Sequence, residues 1–178
     1  MASISLLPIY GELSADRVTY VDIDLETGVW SEVEAGGELV PGRILAAFQG
    51  GQVVQKILFS DGTPRNVQYF GVPEPGAALR WHAANYPSVR GEIWQPFARE
   101  GSGSCRKGHF TGSNAIVDMV KMEYLDDDLD LISEEYYTPD GRLLERFEYR
   151  YDSEKELLET LSYNRHGELI DIESHVDE

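Results

Sequence analysis

Two runs of acids at alternate positions, Asp22-x-Asp24-x-Glu26 and Asp126-x-Asp128-x-Asp130, have the oxygen spacing that opens a calcium loop. Such a loop also needs glycine at its sixth position, for the sharp turn, and a bidentate glutamate at its twelfth. The first run offers Thr27 and Val33 there, the second Leu131 and Tyr137, so both fail and read as solvated acids. Gly103-Ser-Cys-Arg-Lys-Gly108-His109 has the glycine spacing of a phosphate-binding loop, but histidine stands where a lysine must reach the phosphates. Cys105 and His109 have the types of a nucleophile and its base, with no third group to orient them. His82, His109, His166 and His175 lie too far apart for a zinc-ligand pattern. These residues point to no catalytic centre, metal or cofactor.

Two sets remain as binding candidates. Trp81, His82 and Trp94, with Tyr86, Phe97, Arg80 and Arg90 nearby, have the composition of a pocket wall, although aromatics at strand spacing usually build core. The other set is acidic. Of a net charge of −17, residues 123–178 carry 19 acids against 5 bases. That imbalance argues against nucleic acid or an anionic membrane as partner and suits a basic protein. Asp126, Asp127, Asp128, Asp152, Glu154 and Glu156 are the contact candidates, with Tyr136 as an aromatic anchor.

The elements that must position these groups are strands. At 178 residues, 42% apolar and 11% aromatic, the chain can fill the core of one domain. The Pro/Gly-rich stretch 71–76 is its only candidate seam. Residues 17–33 and 44–59 read as hairpins, followed by a strand over 65–70. Residues 77–84 fit a strand or a short helix, and the alternation of Leu79 and Trp81 with Arg80 and His82 favours strand. Residues 89–97 and 116–125 are further strands, and 99–108, with three glycines and three bases, reads as a mobile surface loop. The lone Cys105 excludes an internal disulfide and suits a reducing compartment. The apolar run 4–10, broken by Pro8, is too short for a signal core or a membrane span, so a cytoplasmic location is expected.

From 119 to 176 the sequence repeats itself. Tyr137-Thr-Pro-Asp-Gly141-Arg-Leu143, Tyr151-Asp-Ser-Glu-Lys155-Glu-Leu157 and Tyr163-Asn-Arg-His-Gly167-Glu-Leu169 each run from tyrosine through a turn residue to leucine. This spells a ladder of hairpins. Odd positions of residues 143–151 are mostly apolar or aromatic and even ones charged, giving one dry tyrosine face and one charged outer face. An odd-numbered loop at Pro139-Asp-Gly141 sets Glu134 opposite Arg146 and Asp130 opposite Arg150. Toward the last strand the pattern breaks, because Ile170 and Ile172 fall opposite to the tyrosine face. A bulge there, or a face apolar on both sides, would explain it.

Tyr136-Tyr-Thr-Pro-Asp-Gly-Arg-Leu-Leu144 with Tyr149-Arg-Tyr-Asp152 resembles the tyrosine–aspartate repeats of RHS-type proteins. It is also similar to the MORN-variant repeats of bacterial antitoxin-like and immunity proteins. The resemblance covers about 50 residues, 125–175, and departs from the pattern at Lys155, where glycine is expected. It implies a hairpin meander and a toxin-neutralising role. Together these observations predict a mainly β chain: an antiparallel meander of about ten short strands forming a strongly twisted sheet or half barrel, with little helix. The function expected is a non-enzymatic cytosolic binding protein, an immunity-type inhibitor that occludes the site of a basic toxin. The alternative is a lipocalin-like small-ligand carrier or enzyme with a cavity around Trp81, His82 and Trp94.

Overall fold

The computed structural model describes residues 19–24, 30–33, 43–49, 52–60, 63–112 and 116–175. These form thirteen strands and one helix, in a mostly antiparallel sheet with one parallel pair. The expectation of a mainly β, antiparallel chain with little helix holds. Among the described residues no helix is long and apolar enough to cross a membrane. The chain divides into two compact units, Met1–Gln95 with Phe110–Ile116, and Pro96–His109 with Val117–Glu178. The stretch 71–76 lies inside the first.

In the first unit β1 (Thr19–Asp24) and β2 (Trp30–Val33) form one hairpin, and β3 (Arg43–Gln49) and β4 (Gln52–Ser60) the next. The turns between them, Glu26 of the first acidic run, and residues 1–18 lie outside the described residues. With β5 (Thr63–Tyr69) and β6 (Arg90–Trp94) the strand order is β6-β5-β4-β3-β1-β2. β5 and β6 run parallel, with Gln68 opposite Glu92. Parallel neighbours cannot be joined by a tight hairpin, and the crossover between them is a helix, α1 (Pro75–Asn85).

The strand expected over 77–84 is therefore corrected to helix. Leu79, Arg80 and the four alanines are good helix formers, and Pro75 sits in the first turn, where its missing N–H costs nothing. Ala78 and His82, four apart, are the fully buried pair that faces the sheet. An alternation of only four residues fits both periods, and the parallel pairing decides between them.

In the second unit β7 (Ala98–Glu100) forms a hairpin through Gly101, whose φ is +62°, with β8 (Gly103–Thr111), the last two residues of which belong to the first unit. The mobile loop expected over 99–108 is corrected to these strands. Gly103 serves packing: a Cβ there would lie 2.1 Å from the Leu125 carbonyl oxygen. In extended backbone the glycines of 103–108 build no cradle of N–H groups for a phosphate. From β8 the ladder continues through β9 (Val117–Leu125), β10 (Leu131–Tyr137), β11 (Leu143–Tyr151), β12 (Leu157–Asn164) and β13 (Leu169–Ser174) in unbroken neighbour order.

One turn is used four times in that ladder. In Asp126–Asp130, Thr138–Arg142, Asp152–Glu156 and Asn164–Glu168, the first residue's amide donates to the fifth residue's carbonyl, and the fourth residue's amide donates back to the first's carbonyl. The first side chain then accepts from the fifth residue's amide, at 2.9–3.1 Å in all four. That requirement selects Asp, Thr, Asp and Asn at the opening position, short side chains that fold back on their own backbone. The fourth residue is left-handed each time: Leu129, Gly141, Lys155 and Gly167, at φ +69°, +87°, +68° and +76°. The second acidic run, Asp126-x-Asp128-x-Asp130, is thus the first of these turns.

Each turn is followed by a bulge. Leu131, Leu143, Leu157 and Leu169 pair with Leu125, Tyr137, Tyr151 and Tyr163, and the register then slips by one. The residues passed over are Ile132, Leu144, Leu158 and Ile170, and three of the four are exposed. A bulge adds one residue on one strand, which reverses the odd–even matching across every hairpin. The expected pairs Glu134–Arg146 and Asp130–Arg150 are corrected accordingly. Glu134 stands opposite Phe147, Arg146 opposite Glu135, and Arg150 opposite Glu159.

The faces change with the register, so the single dry tyrosine face is also corrected. Glu134, Tyr136, Phe147 and Tyr149 share one face with Lys121 and Glu123. Tyr124, Glu135, Tyr137, Arg146, Glu148 and Tyr163 share the other. On the first, Glu134 accepts from the Tyr136 and Tyr149 hydroxyls at 3.0 and 2.8 Å and pairs with Lys121. On the second, Glu135 accepts from Tyr124 and Tyr137, and Glu148 from Tyr163. Both faces carry phenols donating to carboxylates.

Candidate ligand site

The acidic candidates come together at one end of the second unit, because alternate turns of a meander share an end. Asp126–Asp130 and Asp152–Glu156 are bridged by Lys155, whose ammonium lies 2.7 Å from Asp130 and 3.2 Å from Asp128. Asp127 pairs with Arg99 at 3.2 Å. The Asp126 and Asp152 carboxylates each accept two backbone amides within their own turns. Glu154 and Glu156 are exposed. Tyr136 is not at this end: it lies on a sheet face, half-buried, edge-on to Phe147 and beneath the Lys121 ammonium. The nominated acids largely hold turns and bases of their own chain.

The second candidate set is split between the two sides of β6. A Cβ on Gly91 would meet His82 Nε2 at 2.8 Å and Thr111 Oγ1 at 3.0 Å, so positions 91 and 93 face α1. Positions 90, 92 and 94 face away. Trp81 and His82 belong to the α1 side, in a cluster with Tyr69 and Tyr86. Trp94 lies on the other side against Phe110, with ring centroids 5.4 Å apart. His82 is a core residue. Its Nε2 lies 3.0 Å from the Val89 carbonyl, which can only accept, so Nε2 carries the proton and Nδ1 accepts from the Tyr69 hydroxyl at 2.9 Å. Burial lowers its pKa, and the Val89 carbonyl opposes that shift.

Cys105 and His109 stand four residues apart in extended β8, on the order of 13 Å along the strand, beyond contact. Burial raises the thiol pKa and the Glu100 carboxylate raises it further, which leaves it protonated and a poor nucleophile.

What the sequence reading missed lies on the side of the first unit's sheet away from α1. Glu92 is half-buried, and each of its carboxylate oxygens is held by a neutral amide of β5. Asn66 Nδ2 donates to Oε1 at 2.6 Å and Gln68 Nε2 to Oε2 at 2.7 Å. Among the described residues Glu92 forms no ion pair. Lys56, in register with Gln68, turns instead over the Phe70 ring at 5.5 Å. The Asn66 amide cannot be reversed without setting its oxygen against the carboxylate, so its Oδ1 is fixed, buried and without a hydrogen-bond donor. A half-buried carboxylate oriented by two neutral amides is complementary to a small cation bearing N–H groups. A sequence signal existed in the alternation Asn66-Val-Gln68 and Arg90-Gly-Glu92, but only the parallel pairing brings the three polar side chains together.

No family model and no curated protein matches the chain. Among solved structures it is similar to a LolA superfamily protein from Nitrosomonas europaea, at 13% identity over 90% of this chain and 85% of that one, with a TM-score of 0.32. With Asp126, Asp127, Asp128 and Asp152 committed to turns and to Lys155 and Arg99, and Tyr136 half-buried on a sheet face, the expectation of an immunity-type inhibitor is corrected and not carried forward.

Proposed function

We propose that the chain is a small-ligand-binding protein of the carrier kind, with its site on the sheet face around Glu92 rather than at Trp81 and His82. The observation that carries this is the Glu92 carboxylate, fixed by two neutral amides and, among the described residues, in no ion pair. Orienting a carboxylate with amides in place of a base preserves its charge for something else. The ligand class that fits is a small organic cation such as an amine, guanidine or amidine. Its N–H groups would reach the half-buried Glu92 carboxylate.

The test is a thermal-shift screen with alkylamines, guanidines and amidines, comparing the wild-type chain with Glu92→Gln. A ligand at a hundred times its Kd adds about 2.7 kcal/mol. In a unit of this size that raises Tm by on the order of 10 °C. The shift should be lost in Glu92→Gln, which keeps the shape and removes the charge. The proposal fails if no compound of these classes shifts the wild type, or if Glu92→Gln shifts equally.

A further inference from the structure

The last strand of the ladder ends the sheet of the second unit with an open edge. Among the described residues β13 pairs only with β12, and all six of its residues are exposed, Ile170 by 64% and Ile172 by 52%. The His175 amide donates to the Leu158 carbonyl at 2.9 Å, toward β12. Backbone groups alternate sides along an antiparallel strand, so those of Asp171 and Glu173 also point inward, and those of Ile172 and Ser174 point outward. An unpaired edge with bare isoleucines is a template for a further strand.

The side chains say which strand. Asp171 and Glu173 share one face of β13, beside Ser162 and Thr160, and Ile172 lies on the other, beside Leu161. If a second copy of β13 paired antiparallel with this edge, each register that sets Ile172 beside an isoleucine of the copy would set at least one carboxylate opposite another. Like charges directly opposite destabilise a pair. The acids therefore guard the edge against its own kind. A strand alternating lysine or arginine with aliphatic residues meets no such penalty: its bases face Asp171 and Glu173, and its aliphatics cover Ile172.

We infer that the β13 edge is a docking site for an extended segment of another protein in which basic and aliphatic residues alternate, bound by strand addition. Main-chain hydrogen bonds to Ile172 and Ser174 would supply affinity, and the two carboxylates selectivity. This site is independent of Glu92.

The experiment uses the full chain and two fluorescent peptides, one alternating lysine with valine, the other glutamate with valine. Anisotropy should show saturable binding of the basic peptide that weakens with salt, and none of the acidic one. Ile172→Pro removes an outward amide at a position where an edge strand tolerates proline, and it should abolish binding with the circular dichroism spectrum unchanged. Asp171→Lys with Glu173→Lys should reverse the preference between the peptides. Equal binding of both peptides, unaltered binding by Ile172→Pro, or self-association of the chain in place of peptide binding would each overturn the inference.

Discussion

Removing Glu134 tests the central physical claim about the second unit, that its ladder is held by carboxylates shared among phenols and an ammonium. Glu134 is 7% exposed, accepts two tyrosine hydroxyls, and is one of two glutamates around Lys121. Hydrogen bonds to charged groups contribute about 1.5–3 kcal/mol each. A naive sum over three partners gives roughly 4.5–9 kcal/mol, but Lys121 keeps Glu123 at 3.1 Å and Tyr136 and Tyr149 reach partial solvent. Deleting one member of a buried ion pair costs about 3–5 kcal/mol, and the lower end of that range applies here. Glu134→Ala should therefore destabilise by about 3 kcal/mol, read as a fall in urea midpoint at unchanged m. Glu159→Ala, which deletes an exposed partner of Arg150, is the control and should cost at most about 1 kcal/mol. The double variant Lys121→Met/Glu134→Leu replaces charge by apolar volume and should recover most of the loss. If Glu134→Ala costs no more than the control, or the double variant is worse than the single, then the network is ornamental and packing alone holds the ladder.

Two further outcomes follow from the turns and the phenols. Leu129→Gly relieves a left-handed backbone that costs a side chain about 1–2 kcal/mol, less the added entropy of glycine, for a net gain of roughly 0.5 kcal/mol in thermal or chemical unfolding. Gly141→Ala should lose about 1 kcal/mol, and the opposite order would refute the reading of the turns. Burial, and then the Glu135 carboxylate, push the Tyr137 phenol up to about 12; the Tyr124 phenol is raised by the same causes, and the Tyr149 phenol by burial and the Glu134 carboxylate. A raised folded pKa means that the unfolded chain releases its protons first. The associated stability is whole below pH ~10 and is lost as pH climbs through the folded values. A pH titration of the urea midpoint should show that alkaline loss, and a midpoint flat from pH 9 to 12 would contradict it.

The ladder was legible because its turns repeat a chemical requirement, an Asp, Thr or Asn that folds onto its own backbone. The register was not. The doublets Leu131-Ile132, Leu143-Leu144, Leu157-Leu158 and Leu169-Ile170 mark the bulges and stand in plain view. A two-residue alternation rule has no place for a second aliphatic, so it assigns both faces wrongly from that point on. The helix α1 was misread for a related reason: its evidence is the parallel pairing of β5 with β6, a relation between distant segments that no local period records. The Glu92 constellation depends on that same pairing and was invisible with it.

The bulges also explain how a narrow sheet can carry polar groups on both sides. Each slip of register moves the next strand's tyrosines to the face opposite the one a regular ladder would give them, so neither face collects all the aromatics. A sheet with one greasy face must be covered. One whose phenols are distributed, and whose hydroxyls are tied to a glutamate in five cases and to the Leu131 carbonyl in the sixth, Tyr151, can leave rings half-buried and still satisfy its polar atoms. The chain spends acids to do this: Glu134, Glu135 and Glu148 are carboxylates held by phenols on the two faces of the ladder. Part of the acidity of residues 123–178 is therefore internal and says nothing of a partner. What is left to recognise one is the charge that no turn, phenol or base has claimed, and along β13 that is Asp171 and Glu173.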